Sequence, residues 1–478
     1  MTFDKTTLQP KAGFRVESDL LGEKHLPDSA LYGVQTLRGV ENFDISHKTL
    51  GDFPHIISGF AYTKWGAAEA NFKLDLITEE QRNAIADACR QLLSGKHHAH
   101  FVVDMIQGGA GTSSNMNANE VIANLALEYM GKKRGEYEFC SPNDVVNCSQ
   151  STNDAYPTAI HFAFYLFHQD LLSALRYLAD ALGKKAQKFE NVIKMGRTQL
   201  QDAVPMTLGQ SFQAFADLLI SEIRHLDFIA NDFLECNMGG TAIGTGICAD
   251  PEYSQMCIDA LRKITGWDVR LAKNLIEITS DTSSMVGYSG ALKRLAVKLG
   301  KICNDLRLMA SGPRCGLREI NLPPMQAGSS IMPGKVNPVI PELINQICFK
   351  VIGNDLTITV AADAAQLELN VMEPVMVYSL FESFEWLISG MKTLRERCID
   401  NITANEEHCK QMVLNSVGIV TALNPHIGYK KSTKIAKEAL ETDASVYELI
   451  IAQKILTKEQ MDRILLPEHM IKPSKFEV

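Results

Sequence analysis

Long apolar stripes at helical spacing constrain the fold of this chain most. In the middle of the sequence apolar residues recur at alternating steps of three and four, as in Leu292, Leu295, Leu299, Ile302, Leu306 and Met309. Charged residues lie between them, which predicts a helix with one apolar face and a polar back. Similar stripes run through residues 171–182 and 212–233, with a weak step near Glu222.

The predicted helices begin near Pro157, Leu208 and Ser284 and run for about 25–30 residues each. A fourth begins at Pro341, where proline suits the first helical turn, and continues with interruptions towards Cys398. Helices longer than the usual ~11–12 residues fit an extended bundle. Their second apolar faces need cover, which other subunits would supply. The sequence therefore predicts an all-α fold around a central bundle of long helices.

The charge and cysteine content exclude several classes of function. The formal net charge is -9 and no basic stripe is visible, so nucleic acid is not an expected partner. The 11 cysteines form no C-x-x-C pair, which argues against a disulfide framework or a structural zinc site and favours a reducing compartment. Residues 1–33 do not read as a secretory leader, and no apolar run reaches the ~18 residues that span a bilayer. A cytoplasmic protein without a membrane contact is expected.

Four polar segments interrupt the apolar pattern, each near the start of a helical stretch. They are residues 108–117, 151–154, 196–202 and 328–337. Their hydroxyl, amide and backbone N–H groups form neutral donors of the kind that hold carboxylates. One such segment is ordinarily a plain loop or helix cap, but four together favour a site for a small dicarboxylate. The glycine-rich residues 239–246 lack the lysine of a phosphate-binding loop.

Residues 328–337, Gly-Ser-Ser-Ile-Met-Pro-Gly-Lys-Val-Asn, carry the strongest chemical signal. Two glycines bracket a rigid Met332-Pro333 and permit hinge motion. A serine close to Lys335 and to a helix start is a candidate activated oxygen, and backbone N–H groups around Ile331 and Met332 are candidates to stabilise a serine oxyanion. Lys335 and Asn337 alternate, which predicts that both side chains project to one side.

These residues resemble the signature of the fumarase/aspartase superfamily. Residues 151–154, residues 196–198 and the segment around Thr112 resemble the other characteristic blocks of this family in the same order, and the resemblance extends to residues 421–429. It implies three domains: a mainly helical domain at 1–149, the central helical bundle at 150–404 and a small helical domain at 405–478. It also implies a homotetramer in which three subunits share each active site.

The resemblance further implies a role for each candidate residue. Ser329 is the expected base, which removes a proton from the carbon beside a carboxylate and generates an enediolate. The expected substrate-binding groups are Thr112, Ser151, Thr152 and Ser330 on the β-carboxylate, Lys335 and Asn337 on the α-carboxylate, and Asn153, Thr198 and Gln199 around the leaving ammonium. Ile331 and Met332 supply the oxyanion support. No cofactor and no metal site are expected, with a divalent cation such as Mg²⁺ at most an activator.

Gln199 bears on the identity of the leaving group. Most fumarases carry histidine at this place, and hydroxide needs a proton donor to leave, whereas ammonia leaves an ammonium without one. Gln199 therefore favours reversible elimination of ammonia from L-aspartate to give fumarate. Because some relatives that eliminate ammonia keep the histidine, hydration of fumarate to L-malate stays open, as does a non-catalytic structural protein with this fold. Ser141 replaces the histidine of a secondary dicarboxylate site, which puts that site in doubt.

Overall fold

The computed structural model describes residues 12–470, so the first eleven residues of the predicted N-terminal domain and the last eight of the C-terminal domain lie outside it. The helices are α1 (Val34–Asn42), α2 (Pro54–Lys73), α3 (Glu79–Leu93), α4 (Thr112–Tyr129), α5 (Thr152–Lys188), α6 (Leu208–Ala230), α7 (Tyr253–Thr265), α8 (Leu275–Ser280), α9 (Ser283–Met309), α10 (Val339–Asp363), α11 (Glu373–Arg397), α12 (Glu406–Asn415), α13 (Val420–Ile427), α14 (Tyr429–Thr442), α15 (Val446–Ala452), α16 (Lys458–Ile464) and α17 (Pro467–Met470). The strands are β1 (Phe14–Asp19), β2 (Gly22–Pro27), β3 (Ile193–Thr198), β4 (Gln201–Thr207), β5 (Glu235–Cys236), β6 (Arg270–Leu271), β7 (Ile320–Asn321) and β8 (Thr403–Ala404). They pair into two-stranded sheets: β1 with β2, β3 with β4 and β7 with β8 antiparallel, and β5 with β6 parallel.

The predicted mainly helical fold is confirmed, and its long helices lie where the apolar stripes indicate. Three helices begin at Thr152, Leu208 and Ser283, close to the predicted starts. The fourth predicted stretch is two helices, α10 and α11, separated by residues 364–372. The short strands were not predicted, because two to seven residues carry too little periodicity to stand out beside helices of this length.

The chain divides into two compact units, each drawn from three stretches of sequence. Among the described residues, the first unit comprises 12–171, 225–293 and 350–385, and the second comprises 172–224, 294–349 and 386–470. Three domains bounded at 149/150 and 404/405 stay a prediction.

The core of the first unit is rich in aromatic side chains. Phe164 lies 5.1 Å from Phe233 and 5.5 Å from Phe381 between ring centroids, and Tyr288 lies 5.3 Å from Phe384. Such offset and edge-to-face pairs add about 0.5–1.5 kcal/mol each beyond the burial of their area. A second cluster packs α2 and α7 through Ala67, Ala70, Cys257, Ile258 and Leu261.

The second unit contains most of the stripe on α9. Leu295, Leu299, Ile302 and Leu306 are all at most 1% exposed. The weak step at Glu222 has a physical reason, since this carboxylate is fully buried and accepts hydrogen bonds from Arg294 Nη2 at 2.9 Å and from Lys298. A polar residue therefore interrupts the α6 stripe because it pairs with the polar back of α9. The C-terminal helices form their own core of Ile419, Leu423, Ile435, Ala439, Val446, Ile450 and Met461.

Candidate active site

The start of α4 is shaped by three consecutive residues with left-handed backbone. Gly109, Ala110 and Gly111 have φ values of 85°, 52° and 84°. Gly111 is required sterically as well, because a Cβ there would lie 2.3 Å from the ring of Tyr156. The turn delivers Thr112 to the first position of α4, where its side chain is exposed and its Oγ1 donates to Gly109 O at 2.8 Å. A left-handed alanine costs free energy, and such strain concentrates at functional sites.

The start of α5 is a reciprocal cap formed by residues 151–154. Ser151 Oγ accepts from Asn153 N at 3.2 Å, while the carboxylate of Asp154 accepts from Ser151 N at 2.9 Å. This arrangement satisfies backbone donors that a helix start otherwise leaves unpaired. Ser151, Thr152 and Asn153 are half-buried, and Asp154 is fully buried. The helix dipole gives this end partial positive charge, which suits a carboxylate ligand.

Asn115 joins the two helix starts. Its Nδ2 donates to Thr152 Oγ1 and to Asn147 Oδ1, each at 3.2 Å, and the residue is 1% exposed. Lys64 is fully buried in α2 and donates to Asn147 Oδ1 and Gln150 Oε1, both at 2.9 Å. Burial lowers the pKa of the Lys64 ammonium to about 7, although the charge of Asp154 opposes this. We call Thr112, Asn115, Ser151, Thr152, Asn153 and Asp154 the polar frame.

The serine loop, residues 328–337, is closed by its own backbone. Gly328 N donates to Lys335 O at 2.8 Å, and Asn337 Nδ2 donates to Gly328 O at 2.8 Å. The Gly328 position tolerates no side chain, because a Cβ would lie 2.4 Å from Lys335 O. The expectation that Lys335 and Asn337 both face a ligand is therefore modified at Asn337, since one of its amide hydrogens closes the loop.

Ser329 lies at the centre of this loop with two backbone donors directed at its hydroxyl oxygen. Ser329 Oγ accepts from Ile331 N at 3.2 Å and from Met332 N at 2.9 Å. Donors in this arrangement stabilise negative charge on the serine oxygen. Ser329 is partly exposed, and the side chains of Ser330, Ile331, Met332 and Lys335 are exposed. Within residues 12–470, the Lys335 ammonium has no carboxylate partner, so its charge is available to a ligand.

Thr198 and Gln199 lie at the tip of the β3–β4 hairpin. Thr198 pairs with Gln201, so Gln199 and Leu200 form a two-residue turn, and their φ values of 55° and 62° are those of a type I′ turn. Glycine, asparagine and aspartate are the usual residues there, which makes this turn strained. Both Thr198 and Gln199 are exposed. Below the tip, Arg197 Nη1 donates to the fully buried Glu319 at 2.5 Å.

The structure brings some of the candidate residues together within each unit. In the first unit, Thr112, Ser151, Thr152 and Asn153 share the polar frame. In the second unit, Ser329, Ser330, Ile331, Met332, Lys335 and Asn337 share the serine loop. Thr198 and Gln199 lie apart on the hairpin, and no hydrogen bond joins their side chains to the serine loop in the part of the chain that the structure describes. The roles assigned to these residues stay predictions.

Sequence reasoning missed Asn115, Asp154 as a structural carboxylate, and Asn237. Asn237 Nδ2 donates to Asn153 O at 2.9 Å. Asn115 lies inside a segment that the sequence had singled out, so its amide was a signal that could have been used. Asn237 precedes the glycine-rich residues 239–246, whose proximity to α5 no local pattern reveals. Ser141, by contrast, behaves as a helix cap, with its Oγ accepting from Asn143 N and Asp144 N.

The described residues provide neither a cluster of metal ligands nor a membrane-spanning helix. Across residues 12–470, no group of three or more His, Cys, Asp or Glu side chains is arranged to hold a metal ion. Over the same residues, no helix combines the length and apolar character needed to cross a membrane. All eleven cysteines fall within this part of the chain and are free thiols, eight of them buried.

Comparison with known proteins identifies the family. The family model described as "Lyase" matches residues 22–353, and that described as "Fumarase C C-terminus" matches residues 419–472. An aspartate ammonia-lyase of Helicobacter pylori is 56% identical over 97% of this chain and 99% of that protein, and one of Pseudomonas aeruginosa is 55% identical over 98% of each. The crystal structure of a fumarate lyase:delta crystallin from Brucella melitensis bound to cobalt superposes with a TM-score of 0.93 at 50% identity, covering 96% of this chain and 100% of that one.

Identity this high over nearly the full length, together with a family model that matches most of the chain, is decisive for the family. The intact serine loop and polar frame match the blocks through which the sequence resembled that family. The chain is a lyase that belongs to the fumarase/aspartase superfamily.

Proposed function

We propose that this protein is an aspartate ammonia-lyase, which eliminates ammonia from L-aspartate to give fumarate. The observation that carries the proposal is the 55–56% identity, over nearly the whole chain, to relatives of that name. The geometry of Ser329 supports it, because two backbone amides converge on the oxygen that has to act as base. Serine turns with these contacts also occur in proteins without catalytic activity, so the identity to named enzymes carries the choice against a non-catalytic protein.

In the proposed mechanism the Ser329 alkoxide removes a proton from the β-carbon of L-aspartate. The C–H electron pair moves into the β-carboxylate and generates an enediolate. The pair then returns to form the carbon–carbon double bond as the C–N bond breaks, and ammonia carries away the second electron pair. A serine hydroxyl is a weak acid, so its ionisation depends on the Ile331 and Met332 amides and on the positive charge of Lys335.

Two groups of donors would hold the two carboxylates. Thr112, Ser151, Thr152 and Ser330 are proposed for the β-carboxylate, where the charge of the enediolate develops. The Thr112 hydroxyl would turn away from Gly109 O to donate there. Neutral hydroxyl donors fixed before the reaction are suited to charge that appears only in the transition state. Lys335 and the remaining amide hydrogen of Asn337 are proposed for the α-carboxylate.

Asn153, Thr198 and Gln199 are proposed around the ammonium. Gln199 is neutral and cannot donate a proton as a histidinium would, which fits a leaving group that needs no added proton. The match of residues 419–472 to a fumarase C-terminal model keeps fumarate hydratase as a second candidate.

The experiment that separates these functions follows the ultraviolet absorbance of fumarate. The purified protein is given L-aspartate or L-malate at equal concentrations. Fumarate formed from L-aspartate, with release of ammonia in equal amount, is the expected result. Fumarate formed from L-malate alone would identify a hydratase, and no fumarate from either would contradict both proposals.

The proposed assembly is a homotetramer with shared active sites. Its support is an apolar helix face that residues 12–470 of a single chain leave uncovered. On α10, Leu356 and Val360 are 65% and 61% exposed, and they line an apolar groove of about 460 Å³ with Met372 and Val375. Patches of this kind commonly mark interfaces. Light scattering is expected to give four times the chain mass of 52.9 kDa.

We further propose a cytoplasmic enzyme of L-aspartate metabolism that requires no cofactor. Eight buried free thiols suit a reducing compartment. Activation by a divalent cation such as Mg²⁺ is proposed without a site in the chain, and no step of the mechanism passes through the ion. Activity that persists in the presence of a chelator, at the level measured without added divalent cation, is the expected result for this proposal.

A further inference from the structure

The glycine-rich residues 239–246, here called the glycine loop, are tied to the start of α5 by one buried carboxylate. Asp154 Oδ2 accepts from Gly239 N at 3.1 Å and from Thr241 N at 3.0 Å, while Oδ1 accepts from Ser151 N at 2.9 Å. Asp154 is fully buried, so three backbone donors are paired with a charge that water does not reach. Charge-assisted hydrogen bonds of this kind are stronger than neutral ones.

Two glycines of this loop are required by close packing. Gly239 has φ +88°, and a Cβ there would lie 2.0 Å from Ser254 Oγ. Gly244 has φ +93°, and its Cβ would lie 2.4 Å from the backbone of Ile276. Both positions therefore exclude any side chain, and the loop is held in one conformation by its neighbours.

The glycine loop fixes Asn153 at its side chain, and Asn237 fixes its backbone. Asn153 Nδ2 donates to Ala242 O at 2.7 Å, and Asn153 O accepts from Asn237 Nδ2 at 2.9 Å. A carbonyl oxygen only accepts hydrogen bonds, so the Ala242 carbonyl requires the NH₂ end of the Asn153 amide. The Oδ1 atom of Asn153 must then point away from Ala242. It has no hydrogen-bond partner there among the described residues of the first unit.

We infer that Asp154 and the glycine loop position Asn153 so that its Oδ1 accepts a hydrogen bond from the substrate's amino group. This inference rests on the proposed function. An ammonium has three donors and no acceptor, so an amide oxygen complements it and an amide NH₂ would repel it. Asp154 is thus a positioning residue that acts through Asn153 and does not touch substrate.

Burial and the surrounding donors have opposite effects on the charge of Asp154. Burial raises the pKa of its carboxyl to about 6, while the N–H groups of Thr241, Ser151 and Gly239 and the Lys64 ammonium oppose the rise. Near neutral pH the carboxylate form therefore prevails and keeps the glycine loop in place.

Asp154→Asn tests the inference, because it keeps the shape of the side chain and weakens its hold on Gly239 and Thr241. The Michaelis constant for L-aspartate is expected to rise about tenfold or more, since a hydrogen bond to a charged group is lost, with a smaller change in kcat. Succinate keeps both carboxylates and lacks the amino group. Ser151, which is proposed for the β-carboxylate, also bonds to Asp154, so the inhibition constant is expected to rise as well, but at least about threefold less than the Michaelis constant for L-aspartate.

This selectivity is the readout that a merely structural role would not produce. Parallel weakening of L-aspartate and succinate binding, or an unchanged Michaelis constant, would overturn the inference. The matched control is Asp259→Asn on the exposed face of α7, which is expected to leave all three constants unchanged.

A second variant keeps the test decisive if Asp154→Asn does not fold. Asn237→Ala removes the donor to Asn153 O, and the same selective loss of L-aspartate affinity is expected, to a smaller degree. If the folded Asn237→Ala protein binds both ligands as the wild type does, the inference is wrong. Failure of the proposed function looks different, because the wild-type protein itself would then form no fumarate from L-aspartate.

Discussion

The polar frame and the serine loop are alike in composition and opposite in their surroundings. Both are rich in hydroxyl, amide and glycine groups. In the frame, Asn115 and Asp154 are buried and their hydrogen bonds come from other elements, among them the glycine loop. In the serine loop the closing hydrogen bonds are internal to residues 328–337, and Ile331 is 83% exposed. The frame is held by its environment, whereas the loop is held by its own backbone.

This difference indicates a division of tasks. A frame that is fixed before substrate arrives loses little entropy on binding and is suited to recognition. A serine in water is a poor base, so the serine loop is suited to reaction only once water is excluded from it. We therefore expect changes in the loop to reduce turnover with little effect on stability, and changes in the buried surroundings of the frame to affect stability and affinity.

The largest effect is expected from Ser329→Ala. Loss of the base should lower kcat for fumarate formation by about a hundred- to ten-thousandfold. The melting temperature should stay unchanged, because the hydroxyl is partly exposed and bonds only to its own loop. Ser94→Ala, at an exposed helix end, is the control and should retain full activity. Near-normal turnover by Ser329→Ala would refute the assignment of the base.

Glu373→Gln tests, through the pH dependence of stability, how buried charged groups affect the folded protein. Burial raises the pKa of the Glu373 carboxyl to about 8. Because the folded value lies above the unfolded one, this group's stabilising contribution is complete below about pH 4.5 and is lost as pH rises through about 8. The side chain introduced in the variant does not ionise. The free energy of unfolding of the variant, relative to that of the wild type, should therefore rise between pH 5 and pH 8. Because each pKa unit corresponds to about 1.4 kcal/mol, this rise is several kcal/mol at most.

The groups that line the small cavity beside Glu373 do not alter that sign. His161 faces the cavity, and burial lowers its pKa to about 4, so it stays neutral over the measured range. Asp281 also lines the cavity and shares the sign of an ionised Glu373. Urea unfolding at several pH values provides the measurement, with Glu80→Gln on the exposed start of α3 as control. A difference that does not vary with pH would contradict a buried neutral carboxyl.

The two regions also differ in how far they could be predicted from sequence. The contacts of Ser329 with the amides of Ile331 and Met332 span two and three residues, so local composition was enough to anticipate them. The long helices were equally accessible, because the apolar stripes on α5, α6 and α9 are local patterns repeated over many turns. Contacts between residues close together in the sequence could therefore be predicted.

The remainder depends on packing between distant segments. Asp154 meets Thr241 across 87 positions, and Arg197 meets Glu319 across 122. No spacing rule relates residues so far apart, since tertiary packing alone decides which segments meet. The turn at Gln199 and Leu200 was missed for another reason: neither residue favours positive φ, so the local signal for a type I′ hairpin is absent.

Gly328→Ala tests whether the serine loop depends on its own closure. The added Cβ would lie 2.4 Å from Lys335 O and 2.9 Å from Asn337 N, so the base of the loop must open. Displacement of reacting groups by about 1 Å can cost about a hundredfold in rate, and a fall of that order in kcat is expected with an unchanged melting temperature. Gly183→Ala in α5, where the added Cβ meets nothing within 4 Å, should retain full activity. A large loss of stability in Gly328→Ala would show that the loop is tied to its surroundings after all.

The smallest effect is expected at the hairpin tip, from Leu200→Gly. Leu200 is 68% exposed and has φ 62°, a conformation that costs an L-residue other than glycine roughly 1–2 kcal/mol. Glycine relieves this strain but loses more entropy on folding, so a net gain of at most about 1 kcal/mol in the free energy of unfolding is expected. Urea unfolding measures the gain, and kinetics with L-aspartate shows whether Gln199 stays in place. If stability falls by more than the roughly 1 kcal/mol that the entropy of glycine accounts for, the Leu200 side chain makes stabilising contacts, and the hairpin tip would resemble the polar frame in being held by its surroundings.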